Sequence, residues 1–271
     1  MTTLIFPILI FVFGTLIGSF LNVVILRYFS GQDITTSRSA CPKCGNTLRW
    51  WELVPILSFT FLRGRCARCA SEISVQYPLV ELATGLLFLT LATPLSSTPV
   101  GIISTLLLFT ITSLVIILFV IDLKAMILPD IFIILFTVTI FFYIMFSPSK
   151  SLTACYLLLT TCRQPFNSMY GMFIGTGFLV LLYLVTRGRG IGFGDVKLML
   201  PLGLLFGLWG TISLLLISFW AGGLVGLWLL LAKKATVKTA IPFGPFLLGA
   251  AVLLLLFPSL PLHLLTLLGF R

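Results

Sequence analysis

The sequence contains very little charge. Charged residues make up 9% of its 271 residues, and only seven of them are acidic, whereas an average soluble domain has roughly 25% charged residues. Because so few charges cannot keep a large surface hydrated, the composition excludes an ordinary soluble globule. The 59% content of hydrophobic residues excludes a disordered or collagen-like chain. The composition therefore predicts an all-α polytopic membrane protein, in which spans of roughly 20 residues give about eight transmembrane helices.

Several other features are scarce or missing. No Lys or Arg precedes the first apolar run, residues 4–26, so a secretory signal peptide fits poorly. The two halves of the chain show no sequence repeat, which argues against an inverted-repeat transporter. The alternating glycines of 188–194 follow no predicted strand and precede no Walker lysine, which argues against a nucleotide-binding loop. The single histidine, His263, is interpreted as a surface or interface residue.

The distribution of basic residues predicts the topology. The net charge is +10, from 17 Lys and Arg against 7 Asp and Glu, and excess Lys and Arg collects in the cytoplasmic loops of membrane proteins. With eight spans and the N-terminus outside, the inside segments hold 14 of these 17 residues. This topology explains the positive charge without a nucleic-acid partner. The inside segments are 27–77, 122–127, 187–197 and 233–240, and the spans lie near 4–26, 78–96, 100–121, 127–146, 169–187, 196–209, 211–232 and 241–259.

Four of the six cysteines lie in the only long polar segment. Cys41 and Cys44 form one C-x-x-C pair, and Cys66 and Cys69 form another. Each pair can direct two sulfurs to one point from a tight turn, and two such turns make the tetrahedral four-thiolate site that Zn²⁺ accepts. The reducing cytosol makes two disulfides or redox thiols the less favoured interpretation. Because four thiolates leave no open coordination position, the zinc is predicted to be structural.

These patterns divide the chain into three parts. We expect a first transmembrane helix in 1–27, a small cytoplasmic zinc-binding module in 28–77, and a seven-helix membrane bundle in 78–271. Two further cysteines, Cys155 and Cys162, fall in the predicted outside loop 147–168, and their spacing fits no metal knuckle. They are interpreted as small apolar residues, with a disulfide between them as the alternative.

Three acidic residues lie at the predicted cytoplasmic ends of apolar segments. A carboxylate at membrane depth is costly, which makes it a functional candidate. Asp130 follows Leu128-Pro129 and is explained by a helix start, where proline and a carboxylate both fit. Asp122 has no such explanation, because it ends an apolar run where the helix dipole disfavours an anion. The glycines of Gly192-Phe193-Gly194 let the backbone bend and present Asp195 inside the bundle. On two helices at one depth, the two carboxylates can form a dyad that shares a proton and activates water. Cation coordination or a proton relay explains the same two carboxylates equally well.

Six motifs occur in order along roughly residues 14–250. Each motif alone is of weak to moderate specificity, but the six in this order are highly specific. They are Gly18-Ser19-Phe20-Leu21-Asn22-Val23-Val24, the two C-x-x-C pairs, Tyr77-Pro78-Leu79-Val80-Glu81, Asp122 with Leu128-Pro129-Asp130, Gly192-Phe193-Gly194-Asp195-Val196-Lys197, and Ile241-Pro242-Phe243-Gly244-Pro245-Phe246. Together they resemble the bacterial prepilin peptidase family, whose members are leader peptidases and N-methyltransferases of type IV pilins and pseudopilins.

The resemblance implies a membrane aspartyl protease of the G-x-G-D kind in the bacterial inner membrane, with Asp122 and Asp195 as its catalytic pair. It implies prepilin and pseudopilin substrates of pilus or type II secretion systems, whose short basic leader is removed after a glycine on the cytoplasmic face. It also implies methylation of the new N-terminal residue with S-adenosylmethionine. The cysteine segment belongs, by the same resemblance, to the methylating members and to substrate handling.

Three alternatives stay open beside the bifunctional enzyme. The first is a peptidase without methyltransferase activity. The second is an ion or proton transporter that uses the two aspartates, with the zinc module as a sensor. The third is a non-catalytic assembly protein, which the presence of both aspartates disfavours. No residue pattern identifies the methyl-donor site or the oligomeric state.

Overall fold

A computed structural model describes residues 2–31, 39–92, 98–146, 165–188, 190–234 and 241–267 of the chain. Within these ranges the secondary structure is helical, without any strand, and β pairing is limited to two isolated bridges. The predicted all-α class is therefore confirmed. The chain divides into two compact units, Met1–Leu95 and Ser96–Arg271.

In the part of the first unit that the structure describes, two apolar helices flank a small polar segment. The helices are α1 (Thr2–Ser30) and α3 (Gln76–Leu91). The segment between them carries a short 3₁₀ helix at Trp50–Leu53 and the five-residue helix α2 (Leu57–Phe61). The four cysteines of the predicted module lie on either side of these short helices.

Helices α1 and α3 pack closely along their length. A Cβ atom added to Gly18 of α1 would lie 2.7 Å from Cα of Glu81 on α3, so only glycine permits this approach. One turn further along α1, Asn22 Nδ2 donates a hydrogen bond to the Tyr77 carbonyl at 3.2 Å. Small residues at the contact and a polar side chain between the backbones are typical of helix pairs in membranes.

The described residues of the second unit form six helices. The first of them is capped by Thr98, whose Oγ1 accepts a hydrogen bond from the Gly101 N–H at 3.2 Å. The order along the chain is α4 (Pro99–Ala125), α5 (Asp130–Phe146), α6 (Pro165–Thr186), α7 (Phe193–Leu231), α8 (Gly244–Leu256) and α9 (Leu260–Leu267).

Helix α7 covers both spans predicted for this region, 196–209 and 211–232. Its 39 residues form two helical arms that are joined at Gly207, where the backbone leaves the helical region with φ of 65° and ψ of −174°. The kink frees the N–H of Leu208, which donates to Asn167 Oδ1 on α6 at 3.3 Å. A straight helix of this length would measure about 58 Å at 1.5 Å per residue, and the kink instead divides it into two arms. The two predicted spans correspond to these two arms, and the break lies at Gly207 rather than at residue 210.

Four of the described helices are long and apolar enough to cross a membrane. They identify a membrane protein, whereas the eight-span count and the outside N-terminus stay predictions. Helices α3, α5 and α8 are apolar but shorter. The expectations for Cys155, Cys162 and the side chain of His263 fall outside the described residues. The four long segments are Ile5–Ser30, Pro99–Ala125, Asn167–Thr186 and Phe193–Leu231.

Candidate active site and metal centre

Asp122 is a buried residue in the last turn of α4. Only 4% of it is exposed, and its Oδ2 atom has no hydrogen-bond partner among the described residues. The helix ends at Ala125. The next residue, Met126, has a left-handed backbone with φ of 54°, and its N–H donates to the Asp122 carbonyl at 2.8 Å. A buried carboxylate oxygen without a partner costs folding free energy. Its presence therefore points to a functional rather than a structural requirement.

Asp195 lies in the first turn of α7 and is 7% exposed. Its Oδ2 atom accepts a hydrogen bond from the Gly192 N–H at 3.2 Å, and its own N–H donates to the Gly192 carbonyl at 3.1 Å. This pair of bonds caps the helix and fixes the orientation of the carboxylate. The neighbouring Gly194 allows close packing, because an added Cβ would lie 3.3 Å from Cβ of Leu128.

The two carboxylates converge on Gly244, the first residue of α8. A Cβ atom added to Gly244 would overlap Asp122 Oδ2 and would lie 3.1 Å from Asp195 Oδ1. One oxygen of each carboxylate therefore reaches the same point beside Gly244. This point is at the N-terminal end of a 13-residue helix, where the helix dipole favours negative charge.

The start of α8 is held against α7 by contacts on both sides of Gly244. Before it, the ring of Phe243 lies 4.8 Å from the ring of Phe219, measured between centroids. After it, the Phe246 carbonyl accepts a hydrogen bond from Ser218 Oγ at 3.3 Å. Gly244 belongs to one of the motifs in the sequence, but the sequence assigned it no role. The sequence feature that could have drawn attention to Gly244 is a glycine followed by a proline at the first two positions of a helix.

Asp130 starts α5, as the sequence predicted, and it makes an ion pair that the sequence did not predict. Lys197 Nζ lies 2.7 Å from Asp130 Oδ1 and 3.0 Å from Oδ2. The side chains of Lys197 and Asp130 are 38% and 63% exposed, respectively. The partner and the exposure distinguish Asp130 from the two buried aspartates.

The four predicted metal-binding cysteines come together in the first unit. Their sulfurs all lie within 4.8 Å of one another, and Cys41 Sγ is 3.8 Å from Cys69 Sγ. Tetrahedral coordination with Zn–S bonds of about 2.3 Å places the sulfurs about 3.8 Å apart. All four are free thiols rather than disulfides. The cluster therefore fits a four-thiolate metal site, which confirms the grouping predicted from the two C-x-x-C pairs.

The two C-x-x-C turns have the same backbone design. In each, the N–H of the first cysteine donates to the carbonyl five residues later, at 2.9 and 2.8 Å. The residue after the second cysteine is left-handed in both, with φ of 69° at Gly45 and 54° at Ala70. Backbone hydrogen bonds from Cys44 and Lys43 lower the pKa of the Cys41 thiol to about 6. This favours the thiolate, which is the form that binds metal.

Comparisons with known proteins give consistent matches over most of the chain. Residues 12–95 match the bacterial peptidase A24 N-terminal domain, and residues 108–227 match the type IV leader peptidase family. A prepilin leader peptidase/N-methyltransferase of Aeromonas hydrophila is 35% identical, over 92% of this chain and 89% of that protein. Proteins of the same name from Pseudomonas putida and Bacillus subtilis are 32% and 30% identical, over 87% and 92% of this chain and 85% and 93% of those proteins.

A comparison with solved structures gives no significant match. The relatives nevertheless span both units, and the two family models cover the cysteine cluster and both buried aspartates. This chain belongs to the type IV leader peptidase family.

Proposed function

We propose that this chain is a prepilin leader peptidase in which Asp122 and Asp195 form an aspartyl dyad. The observation that supports the proposal most strongly is the convergence of Asp122 Oδ2 and Asp195 Oδ1 beside Gly244. Two carboxylates in one site cannot both ionise easily, so they share a proton. One is then available as a base and the other as an acid.

The chemistry follows from this division of roles. The ionised carboxylate takes a proton from a water molecule held between the two groups, and the water oxygen bonds to the scissile carbonyl carbon. The other carboxyl group donates its proton to the carbonyl oxygen. When the tetrahedral intermediate collapses, the C–N bond breaks and the leaving amine takes the proton that was removed from water. One hydroxyl of the intermediate returns a proton to the second carboxylate as its C=O bond re-forms. The unpartnered Oδ2 of Asp122 supplies an acceptor for this water.

The substrate is a type IV prepilin or pseudopilin, with a basic leader before a single apolar helix. In the predicted topology both aspartates lie near the cytoplasmic face of the bacterial inner membrane, which is where such a leader remains. Cleavage after a glycine is compatible with the little space beside the dyad. The enzyme then transfers a methyl group from S-adenosylmethionine to the new N-terminal amine. No residue of this chain is assigned to the methyl donor.

The experiment that tests this function is mass spectrometry of a prepilin after incubation with the purified protein and S-adenosylmethionine. Loss of the leader together with one added methyl group is the expected result. Loss of the leader alone would leave a peptidase without methyltransferase activity. An intact substrate, with several prepilins tried, would instead favour an ion or proton transporter that uses the two aspartates.

The cysteine cluster is proposed to hold one Zn²⁺ that stabilises the module without taking part in cleavage. We expect Cys69→Ser to release the metal and destabilise the first unit, because a structural zinc contributes folding free energy. Metal content, measured by inductively coupled plasma mass spectrometry, should fall from one zinc per chain to near zero. The control is Cys155→Ser, the same substitution at a cysteine whose spacing fits no metal knuckle. Equal zinc in both variants would contradict the assignment.

Asp130 is expected to be dispensable for cleavage. Its ion pair with Lys197 is largely exposed, and such pairs contribute only about 0–1 kcal/mol. Asp130→Asn should therefore change the initial rate of prepilin cleavage by less than about fivefold. If Asp130→Asn abolished cleavage while Asp122→Asn did not, the dyad would be wrongly assigned.

A further inference from the structure

The segment between the two C-x-x-C turns exposes an unusual set of large apolar side chains. This segment, residues 50–61, comprises the 3₁₀ helix, a turn and α2, and is called the 50–61 segment below. Trp50 is 76% exposed and Phe61 is 82% exposed. Such exposure is costly in water and marks an interaction surface. Trp51, Leu53 and Leu57 add to the same exposed set.

A buried glutamate holds the middle of the 50–61 segment against the apolar helices. The Ile56 N–H donates to Glu81 Oε2 on α3 at 2.7 Å, and Glu81 is only 7% exposed. Ile56 has a left-handed backbone with φ of 62°, which is unfavourable for a β-branched residue. The hydrogen bond to a buried carboxylate offsets this strain and keeps the turn in place.

The position of Glu81 shows how far along α1 this contact lies. Glu81 lies against Gly18 of α1, and Gly18 precedes Arg27, the first charged residue of α1, by nine residues. Nine residues correspond to about 13 Å along a helix. Because this distance exceeds the length of a glutamate side chain, Ile56 lies closer to the apolar middle of α1 than Arg27 does. The chain on both sides of Ile56 therefore runs beside the apolar part of α1, near its charged end.

The charges around the 50–61 segment are suited to a phospholipid surface. Residues 49–68 carry four basic side chains against one acidic one, and the Arg49 guanidinium lies 5.0 Å from the centre of the Trp51 ring. Tryptophan is enriched at membrane–water interfaces, and basic residues interact with anionic headgroups. The basic side chains are those of Arg49, Arg63, Arg65 and Arg68.

We propose that the 50–61 segment lies in the plane of the membrane, with Trp50, Leu57 and Phe61 inserted into the interfacial region of the phospholipid bilayer. The cysteine cluster then lies at the membrane surface rather than away from it in the cytosol. A peripheral attachment of this kind needs an apolar face with basic residues beside it. This proposal is independent of the catalytic role of the two aspartates.

Photo-crosslinking of the full chain tests the proposal directly. The chain would be placed in nanodiscs of phosphatidylethanolamine and phosphatidylglycerol, with p-benzoylphenylalanine at position 61, 50 or 43. Lys43 is the control, because it is exposed but polar and lies in the first cysteine turn. Lipid adducts, measured by intact-mass spectrometry, should be at least about tenfold more abundant at positions 61 and 50 than at position 43.

Two results would overturn the proposal. One is a yield of lipid adduct at positions 61 and 50 that is no higher than at position 43. The other is crosslinking of positions 61 and 50 mainly to a second protein molecule, which would identify a protein interface instead. Position 50 keeps the test decisive if the label at position 61 disturbs α2, because Trp50 lies in the separate 3₁₀ helix.

Discussion

Replacing Asp122 or Asp195 with asparagine is expected to reduce prepilin cleavage by about 10²–10⁴-fold, the usual contribution of a general acid or base. Asparagine keeps the shape of the side chain but can neither take nor deliver the proton. Because Asp122 Oδ2 and Asp195 Oδ1 meet beside Gly244, loss of either one leaves the other without its partner. The initial rate of leader removal, followed by gel shift or mass spectrometry, measures the effect.

The same substitutions should not destabilise the protein. Two buried carboxylates repel each other and lose hydration, so a neutral amide in place of one of them removes a cost. The midpoint of thermal unfolding should be unchanged or higher for Asp122→Asn and Asp195→Asn. Asp130→Asn is the matched control, since it is the same substitution at an exposed aspartate. Loss of activity together with clear destabilisation would indicate a structural role for the two aspartates.

The second large effect is expected at Gly244. Its φ lies outside the left-handed region, so the backbone itself accepts alanine. The added methyl group would, however, overlap Asp122 Oδ2 and lie only 3.1 Å from Asp195 Oδ1. A displacement of about 1 Å at reacting groups can cost about 10²-fold in rate. We therefore expect Gly244→Ala to lower kcat by about 100-fold, with KM changed by less than about threefold because substrate binding is not the step affected.

Gly249 provides a matched control for this substitution. It lies in the same helix, and an added Cβ there would meet no atom within 4 Å. Gly249→Ala should leave cleavage almost unchanged and should stabilise α8 by about 0.5–1 kcal/mol, because glycine is unfavourable inside helices. Equal losses of kcat in Gly244→Ala and Gly249→Ala would contradict this account. They would mean that any added methyl group in α8 lowers the rate, whether or not it contacts the two aspartates.

The coarse fold could be predicted because composition and hydropathy determine it. The apolar runs locate α1, α4, α5 and α6 to within a few residues. The exact position of the break in α7 could not be predicted from the same pattern. Its kink depends on a tertiary contact, the Asn167 side chain that accepts the Leu208 N–H. Because the apolar content is the same on both sides of Gly207, periodicity does not show at which residue the two arms meet.

The candidate site was predictable where chemistry is local and unpredictable where it depends on packing. The cysteine grouping follows from two short spacings, and the two aspartates stand out because acidic residues are so scarce. The third component, Gly244, contributes a space rather than a functional group, and only the folded structure shows which atoms border that space. The pairs Lys197–Asp130 and Ile56–Glu81 join residues 67 and 25 positions apart. No local pattern encodes such partners.

The claim that Asp122 and Asp195 act as one unit is tested most directly by a double-mutant cycle on prepilin cleavage. Single-turnover rates would be measured for wild type, Asp122→Asn, Asp195→Asn and the double variant. Residues that act together give strongly non-additive losses, so the double variant should be no slower than the slower single variant. Losses that multiply in the double variant, or a single variant that retains nearly the wild-type rate, would contradict a shared dyad.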